Sequence, residues 1–512
     1  MTNKPVKVQA WAAAAGLVAA GLGVAAGELS AALLSPSLSP VSAVGSAVID
    51  ATPGPVKDWA IDVFGTGDKA ALLVGMALII AIMAIAAGIL QLRRPPAGAV
   101  LIGLFGAAGT AAVLTRAQFS PLSVLPPVLA GVVGILVLGA LVSRIAAWRN
   151  AAPEQAGARR RDVLVSVGGG AAVGVVAGAL ATTARSGQVT TMALRDSVTL
   201  PAPAVPAAEI PASAELGISG LDPVVTPAAD FYRIDTALRV PLVDASSWSL
   251  KVTGMVDREV EISFAELLGK PLQESYVTLA CVSNEVGGSL VGNAKWLGWP
   301  VRNLLAAAGV QDGADMVLST SQDGWTASTP LEALTDDRDA LLAVGMNGAP
   351  LPLEHGFPVR MVVPGLYGYV SATKWVTELK VTRFSDEAAY WTVRGWSERG
   401  PIKLSSRIDT PSAGAAVGTG TVTVAGMAWA QHTGINGVQV RVDDGGWQDA
   451  QLATAISADT WVQWSAALEL DAGNHTVTVR AVDADGRAQD EQIRPVVPDG
   501  ATGLHTIRLS AS

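Results

Sequence analysis

Apolar residues follow two patterns along this chain, and the change of pattern divides it. As far as about residue 185 they form unbroken runs of Ala, Gly, Leu, Val and Ile, roughly 8–34, 70–92, 97–115, 124–147 and 163–184. Crossing a hydrocarbon core takes about 20 such residues, so the runs predict an α-helical membrane domain, 1–185, with about five transmembrane helices. Residues 186–230 are rich in Pro, Ala, Thr and Ser without periodicity and read as an extended linker. From 231 to 400 short strand-like runs alternate with short helices: Trp248–Thr253 is strand-like, Ser263–Leu268 opens on a serine cap, and Pro300–Ala308 ends at Gly309. That is an α+β pattern. From 401 to 512 alternation takes over in Thr421–Val424, Gly437–Val442, Trp461–Ser465, His475–Arg480 and Thr506–Leu509, with turns at Asp444-Gly-Gly446 and Asp485-Gly486. Strands at such intervals predict an immunoglobulin-like β-sandwich.

Composition agrees with this division. Half of the 512 residues are apolar and only 15% are charged, too oily for a wholly soluble chain. Lys4 and Lys7, Arg93 and Arg94, and Arg144, Arg149, Arg159, Arg160 and Arg161 all fall on one side of the predicted spans; residues 35–69 and Arg116 fall on the other. Cytoplasmic loops collect Lys and Arg, so the amino terminus is expected in the cytoplasm. An odd number of spans then makes this a multi-pass cell-membrane protein whose soluble half is extracytoplasmic. The first run is too long for the apolar core of a signal peptide and is expected to stay attached. Arg159–Arg161, just ahead of the last span, read either as ordinary positive-inside charge or as an embedded twin-arginine export signal. No nucleic-acid partner is expected.

Glu28, in Gly21-x-Gly-x-x-x-Gly27-Glu28, lies near the outer end of the first span. Ionisable groups in bilayers are costly, so it is either a functional carboxylate or an interfacial packing group. Val56–Phe64 spaces its apolar residues as a helix lying flat on the membrane would. No histidine precedes His355, which excludes a bis-histidine haem among the helices.

Candidate chemistry is concentrated between 231 and 400. Cysteine occurs once, as Cys281, where the run Tyr276–Ala280 gives way to a Gly-rich loop. A lone thiol forms no internal disulfide, so it is core filling, a ligand or a nucleophile. Further on come His355-Gly-Phe-Pro-Val-Arg360, Val363-Pro-Gly365 and Lys374-Trp375, cations set among glycines and prolines as a buried anion site requires. A thiolate beside an anion cradle suggests a bound cofactor.

Eight ordered pieces carry a family resemblance: Phe231-Tyr-Arg-Ile-Asp235 with Pro241; Trp248-x-Leu250 with Gly254; Thr278-Leu-Ala-Cys281 with Asn284; Trp296-x-Gly298; Asp323-Gly-Trp325; Asn347-Gly-x-Pro-Leu-Pro352; the His355–Gly365 block; and Lys374-Trp375. Over about 220–385 they resemble the sulfite oxidase family of molybdenum enzymes. The resemblance implies a sulfite oxidase-like molybdopterin-binding catalytic domain at 231–400, with molybdenum–molybdopterin as cofactor. It likens the 401–512 sandwich to the family's dimerisation domain, hence a homodimer.

By the same resemblance Cys281 is the thiolate ligand of molybdenum, which suits soft sulfur ligation. His355, Arg360 and Lys374 hold the cofactor's phosphate and pterin, with backbone of Ala372 and Thr373 and the carboxylate of Asp323. Phe231, Tyr232, Asp235 and Asn284 complete the cofactor-binding set. Arg233 is implied both there and in catalysis, facing the metal's oxo groups and an anionic substrate; the alternative for it as a bare residue is a surface salt-bridge partner. Trp325, the remaining catalytic candidate, stands where the animal enzymes carry a tyrosine, and a phenolic hydroxyl is lost with the exchange.

Two departures bear on substrate. The sulfite oxidizers carry arginines just after the metal cysteine, whereas Val282–Gly288 supplies Glu285 and small residues; the sandwich loop Gln431–Gly437 also lacks an arginine. A dianion without counter-charges binds poorly, so sulfite is expected to be a poor substrate. The reaction class implied is two-electron oxygen-atom transfer on a small oxygenated or sulfur-containing molecule, either oxidation of a sulfite-like anion or reduction of a sulfoxide-like group. With no haem motif in the chain, electrons pass to or from an external carrier, a cytochrome or a quinone-linked membrane protein. Two other readings stay open: a cofactor-free extracytoplasmic binding module on the same fold, and a channel or transporter built from the helices, against which the scarcity of intramembrane charge counts.

Overall fold

A computed structural model of the chain describes residues 4–512 apart from 36–37, 54–55, 57–58, 60–62, 65–66, 117–118, 153 and 185–186. It forms two compact units, 1–191 with 237–242, and 192–236 with 243–512.

The first unit is helical: Lys4–Leu34, Pro40–Ala51, Asp68–Arg93, Ala97–Leu114, Leu125–Arg149 and Ala156–Ala184. Among the described residues four helices are long and apolar enough to cross a membrane, Val8–Leu34, Lys69–Arg93, Ala97–Leu114 and Pro121–Arg149. The fifth predicted span falls on the helix Ala156–Ala184, whose side chains beyond Gly174 lie outside the described ones. Small residues let the helices meet at backbone distance: a Cβ added to Gly16 would stand 1.9 Å from the Ala84 carbonyl oxygen, and one added to Gly88 would stand 1.9 Å from that of Ala12. Glu28 has a structural use. Its carboxylate accepts the amide of Val41 at 3.0 Å, placing negative charge at the start of the Pro40–Ala51 helix, and Arg239 lies 3.9 Å from its other oxygen. Most of the predicted surface helix, Lys57, Asp58 and 60–62 included, lies outside the described residues.

In the second unit two sheets carry residues 249–382. The first runs β2 (Val260–Ser263), β1 (Ser249–Gly254), β10 (Val376–Thr382), β5 (Met316–Ser321), β6 (Thr326–Pro330), with β1 and β10 parallel and the remainder antiparallel. The second runs β3 (Gln273–Ala280), β4 (Val291–Pro300), β7 (Leu341–Met346), and β7 also pairs with β8 (Ala349–Pro350) and β9 (Arg360–Val362). β7 is buried at every position, so it shows no alternation in sequence. The Ser263 cap closes a reciprocal box with Glu266, and Gly309 ends the helix Val301–Ala308 with φ +73°, as read from sequence.

The Pro-rich stretch is fastened rather than loose. Val205 bridges to Gln273, and the Val224 carbonyl accepts both Asn293 Nδ2 and Trp461 Nε1 at 2.8 Å. Residues 405–511 form the sandwich, β11 (Ser405–Thr410), β13 (Gly420–Trp429), β17 (Val462–Leu470), β16 (Gln451–Leu452) facing β12 (Ala416–Val417), β19 (Thr506–Ala511), β18 (Gly473–Asp483), β14 (Ile435–Val442), β15 (Gln448–Asp449), with Trp464, Leu468, Val479 and Leu509 between them. It covers the edge strand β3: the Thr278 amide donates to the Asp459 carbonyl at 2.9 Å, its hydroxyl accepts the Trp461 amide at 2.8 Å, and its carbonyl accepts Gln431 Nε2 at 2.9 Å. An edge left open would offer a pairing template to other chains.

Candidate active site

Strand direction gathers the candidate residues. β3 ends one residue before Cys281 and β9 begins at Arg360; with β4 and β7 antiparallel between them, β3 runs toward the site and β9 runs away from it. In the first sheet Lys374 precedes β10 while Asp323 and Trp325 lie in the turn from β5 to β6, at one end, because β10 and β5 are antiparallel. The segment 373–376 ties the sheets together. The Thr373 carbonyl accepts the Met361 amide at 2.9 Å, and the Val376 amide donates to the Val359 carbonyl at 3.2 Å. Trp375 between them has φ +49°, an unusual backbone for a bulky side chain, held by its buried ring and its Nε1–H bond to the Leu353 carbonyl at 2.9 Å.

Gly356 makes the cradle possible. At φ +110° its missing Cβ would stand 2.9 Å from Arg360 Cβ and 3.2 Å from Lys374 Cα, so His355, Arg360 and Lys374 close round a residue that has no side chain. Arg360 is only 3% exposed, stacks over Trp296 at 5.0 Å, and makes two long bonds to backbone carbonyls at 3.3 Å. His355 donates through Nε2 to the Ala228 carbonyl, 3.1 Å away, while its buried Nδ1 has no hydrogen-bond partner. Lys374 reaches the Asp235 carboxylate at 3.1 Å and the Glu354 carbonyl at 2.9 Å.

Burial is the main cause of every shift in this cluster, and neighbouring cations add to two of them. His355 is held down at about 3 by desolvation and by Arg360 and Lys374, Arg360 is lowered to about 10 by desolvation, and Lys374 is lowered to about 8 although Asp235 opposes the change. Three lowered basic groups, one of them a neutral ring with an orphaned nitrogen, describe a site short of negative charge. A phosphate supplies that charge and accepts bonds in the fork geometry of arginine. The residues present therefore fit a phosphate-bearing cofactor.

Cys281 is 8% exposed, and burial pushes its thiol up, while Ser283 and Lys374 favour the thiolate. A soft metal would complete that deprotonation. Asn284 shapes the loop behind the sulfur: its amide donates to the Cys281 carbonyl at 3.1 Å and its side chain accepts the Leu290 amide at 2.8 Å. Phe231 packs edge-on to Trp296 and His355 and stacks with Tyr232 at 5.2 Å. The Tyr232 phenol is held protonated chiefly by burial and then by Cys281, with Arg360 opposing.

Arg233 is grouped with the cradle. Its Nε lies 3.1 Å from Asp235, its side chain is 41% exposed, and its charge depresses both His355 and Lys374. Asp323 accepts the Trp325 amide at 3.3 Å, and burial raises its carboxyl. Ala372 donates its amide to the Gly368 carbonyl at 2.9 Å, and Thr373 shares a hydrogen bond with Ser319 at 2.7 Å. Sequence reasoning missed Gly356 as the pivot and Tyr367, whose phenol, raised to about 12 mainly by burial, also feels Cys281. The Gly-Phe-Pro step signalled the first; nothing local signalled the second.

Comparison with known proteins agrees with this geometry. Residues 237–391 match the oxidoreductase molybdopterin binding domain, and 405–479 match a bacterial Ig domain. Chicken (Gallus gallus) sulfite oxidase is 30% identical over 313 residues, 51% of this chain and 67% of that protein. The mitochondrial sulfite oxidase of Mus musculus is 30% identical over 325 residues, 53% of this chain and 58% of that one. An uncharacterized oxidoreductase of Bacillus subtilis, YuiH, is 35% identical over 157 residues, 31% of this chain and 76% of its own length. The chain is a member of the sulfite oxidase family, a molybdopterin-dependent oxidoreductase whose cofactor is molybdenum–molybdopterin.

Proposed function

We propose that this protein is a membrane-anchored, extracytoplasmic enzyme that transfers an oxygen atom to or from a small oxygenated or sulfur-containing substrate and exchanges two electrons with an external carrier. The observation that carries the reading is the buried, under-neutralised cluster of His355, Arg360 and Lys374 beside the chain's lone cysteine. When bound, the cofactor supplies oxygen-atom transfer coupled to a two-electron change at molybdenum. The chain's own work is to hold and orient. Cys281 would bind the metal; Arg360, Lys374 and His355, with Arg233 at the rim, would grip the phosphate; Asp323 and the backbone of Ala372 and Thr373 would meet the pterin. Phosphate brought against His355 favours the protonated ring with Nδ1 as donor, opposing the burial and the neighbouring cations that hold it neutral.

The substrate reading rests on charge. The loop that follows Cys281, Val282–Gly288, carries Glu285 and no cation, and the small pocket it borders, lined by Asn284, Glu285, Tyr367 and Trp429 among others, has no cationic lining residue either. Such walls favour an uncharged oxygenated group over a dianion. Sulfite turnover far below the tens per second of an ordinary enzyme is expected. The decisive experiment is Cys281→Ser in the full chain: turnover lost, the domain still folded, and molybdenum reduced from about one per chain. Full activity in that variant refutes the ligand assignment. Changing Arg160 and Arg161 to Lys tests the export signal, since unaltered export would assign those arginines to topology alone.

A further inference from the structure

A row of aromatic rings leads away from the site, and neither the phosphate cradle nor the substrate cleft accounts for it. Tyr367 and Tyr369 flank Gly368, whose missing Cβ would stand 3.7 Å from the Ala280 carbonyl oxygen, so this turn lies against the residue preceding Cys281. Tyr369 and Trp396 have ring centroids 5.9 Å apart, Trp396 and Trp391 6.1 Å, and Trp391 and Tyr390 5.1 Å. The Arg394 guanidinium covers the last ring at 3.6 Å. The row starts in the interior and ends at the surface: Tyr367 is buried, Trp391 and Trp396 are half-buried, and Val393 between them is 67% exposed.

The rings are also locked. Tyr369 donates its hydroxyl to the Ser397 carbonyl at 2.9 Å, and a Cβ on Gly400 would meet its ring at 2.7 Å. The Tyr367 amide donates to the Gly400 carbonyl at 2.7 Å, and a Cβ on Gly500 would stand 2.8 Å from its hydroxyl. Packing alone explains rings in an interior but gives no reason for carrying the row out to half-exposed tryptophans beside an exposed valine.

We propose that Tyr367, Tyr369, Trp396 and Trp391 form the electron route between the Cys281 site and a docking point for a one-electron carrier protein at 390–396. The inference rests on the oxygen-transfer reading above. Movement of one oxygen atom displaces two electrons; these cross singly, each reducing one carrier centre when the substrate is oxidised, or each supplied by one reduced carrier when it is reduced. The rings end every cycle unchanged. Rings stand 5.9–6.1 Å apart from Tyr369 through Trp396 to Trp391, and the short backbone step across Gly368 joins Tyr369 to Tyr367; such spacings couple the two ends better than a wide gap would.

The chain's single native thiol makes a direct test practical, since Cys281 is buried. In full-length holoenzyme carrying Val393→Cys, a ruthenium tris-bipyridyl complex is attached at that position and electron arrival at the metal is followed by flash photolysis and by its paramagnetic resonance signal. Trp391→Leu with Trp396→Leu is expected to slow arrival about tenfold or more, with molybdenum content and substrate-driven reduction unchanged. The Phe pair at the same positions is expected to restore the rate, which separates lost coupling from lost structure. Equal rates in the parent and the Leu pair overturn the route. A parent chain without molybdenum and without substrate-driven reduction overturns the proposed function itself, and the route with it.

Discussion

The helical unit and the molybdopterin-binding region differ in how they divide small and large side chains between inside and outside. Among the helices small residues fill much of the interior, Ala12, Ala15, Ala19, Ala84 and Ala87, beside a cluster of larger ones, Leu138, Leu141, Ile145 and Trp148, while Leu78, Ile82, Leu104 and Leu136 are 60–66% exposed. In the catalytic region the largest side chains are inside: Trp296, Trp375 and Phe357 are nearly inaccessible. Water forces bulk inward, since burying a large apolar side chain is the main gain available. Lipid rewards no such sorting, so helices on the proposed reading associate through close backbone contact and leave their bulk outward. Size therefore marks the interior of the catalytic region, whereas among the helices the closest backbone approaches fall to the small residues.

The largest break in that comparison is expected at Trp296. Its ring is fully buried, donates through Nε1 to the Val277 carbonyl at 3.1 Å, and supports Arg360. Trp296→Ala should cost about 3–5 kcal/mol and lower molybdenum content, because the guanidinium loses its platform. Chemical denaturation and metal analysis check both. The mirror experiment enlarges a small residue. Gly88→Val in the helical unit forces side-chain atoms onto the Ala12 carbonyl, and overpacking of this kind costs about 1–3 kcal/mol. Thermal unfolding in detergent should show it, and the same glycine-to-valine change at Gly21, where a Cβ meets nothing within 4 Å, should be nearly silent.

What sequence could reveal differed between the regions for the same reason. Long apolar runs marked the four helices long and apolar enough to cross a membrane, because length and hydrophobicity are all that such a helix needs. The sandwich strands alternated because one face meets water. β7 could not be read that way, buried as it is on both faces. Site residues were legible where chemistry demands a rare type, as at Cys281, Arg360 and Lys374, and their convergence was not, because it depends on strand direction in two sheets and on the absent side chain of Gly356. Arg233 was expected to serve catalysis as well as cofactor; its pairing with Asp235 aligns it with the cradle. Glu28, conspicuous in sequence, caps a helix.

An effect confined to acid is expected at His355. The fold holds this ring neutral to about pH 3, whereas an unfolded histidine titrates near 6.5. Between those values the unfolded chain binds the extra proton, so the contribution is complete above about 6.5 and is lost as pH falls toward 3. Cofactor-free His355→Gln should lose less stability than the parent between pH 7 and pH 4. Loading the phosphate-bearing cofactor should shrink the difference, since its negative charge favours the protonated ring in the fold. Denaturation midpoints across pH, with and without cofactor, measure it; parallel curves for the two proteins would refute the buried neutral ring.

The smallest effects concern two serine caps with the same geometry in different surroundings. Ser263 and Ser39 each close a reciprocal capping box, with Glu266 and Ser42 respectively. At Ser263, which is part-exposed, water replaces the lost bonds, so Ser263→Ala should cost the lower part of the usual range, about 0.5–1 kcal/mol. Ser39 is 8% exposed, so Ser39→Ala leaves the Ser42 amide without water to replace its partner and should approach about 2 kcal/mol. The caps thus isolate solvent access from geometry. Equal losses would mean that water reaches the start of the Pro40–Ala51 helix, and the contrast between the two regions would then rest on side-chain size alone.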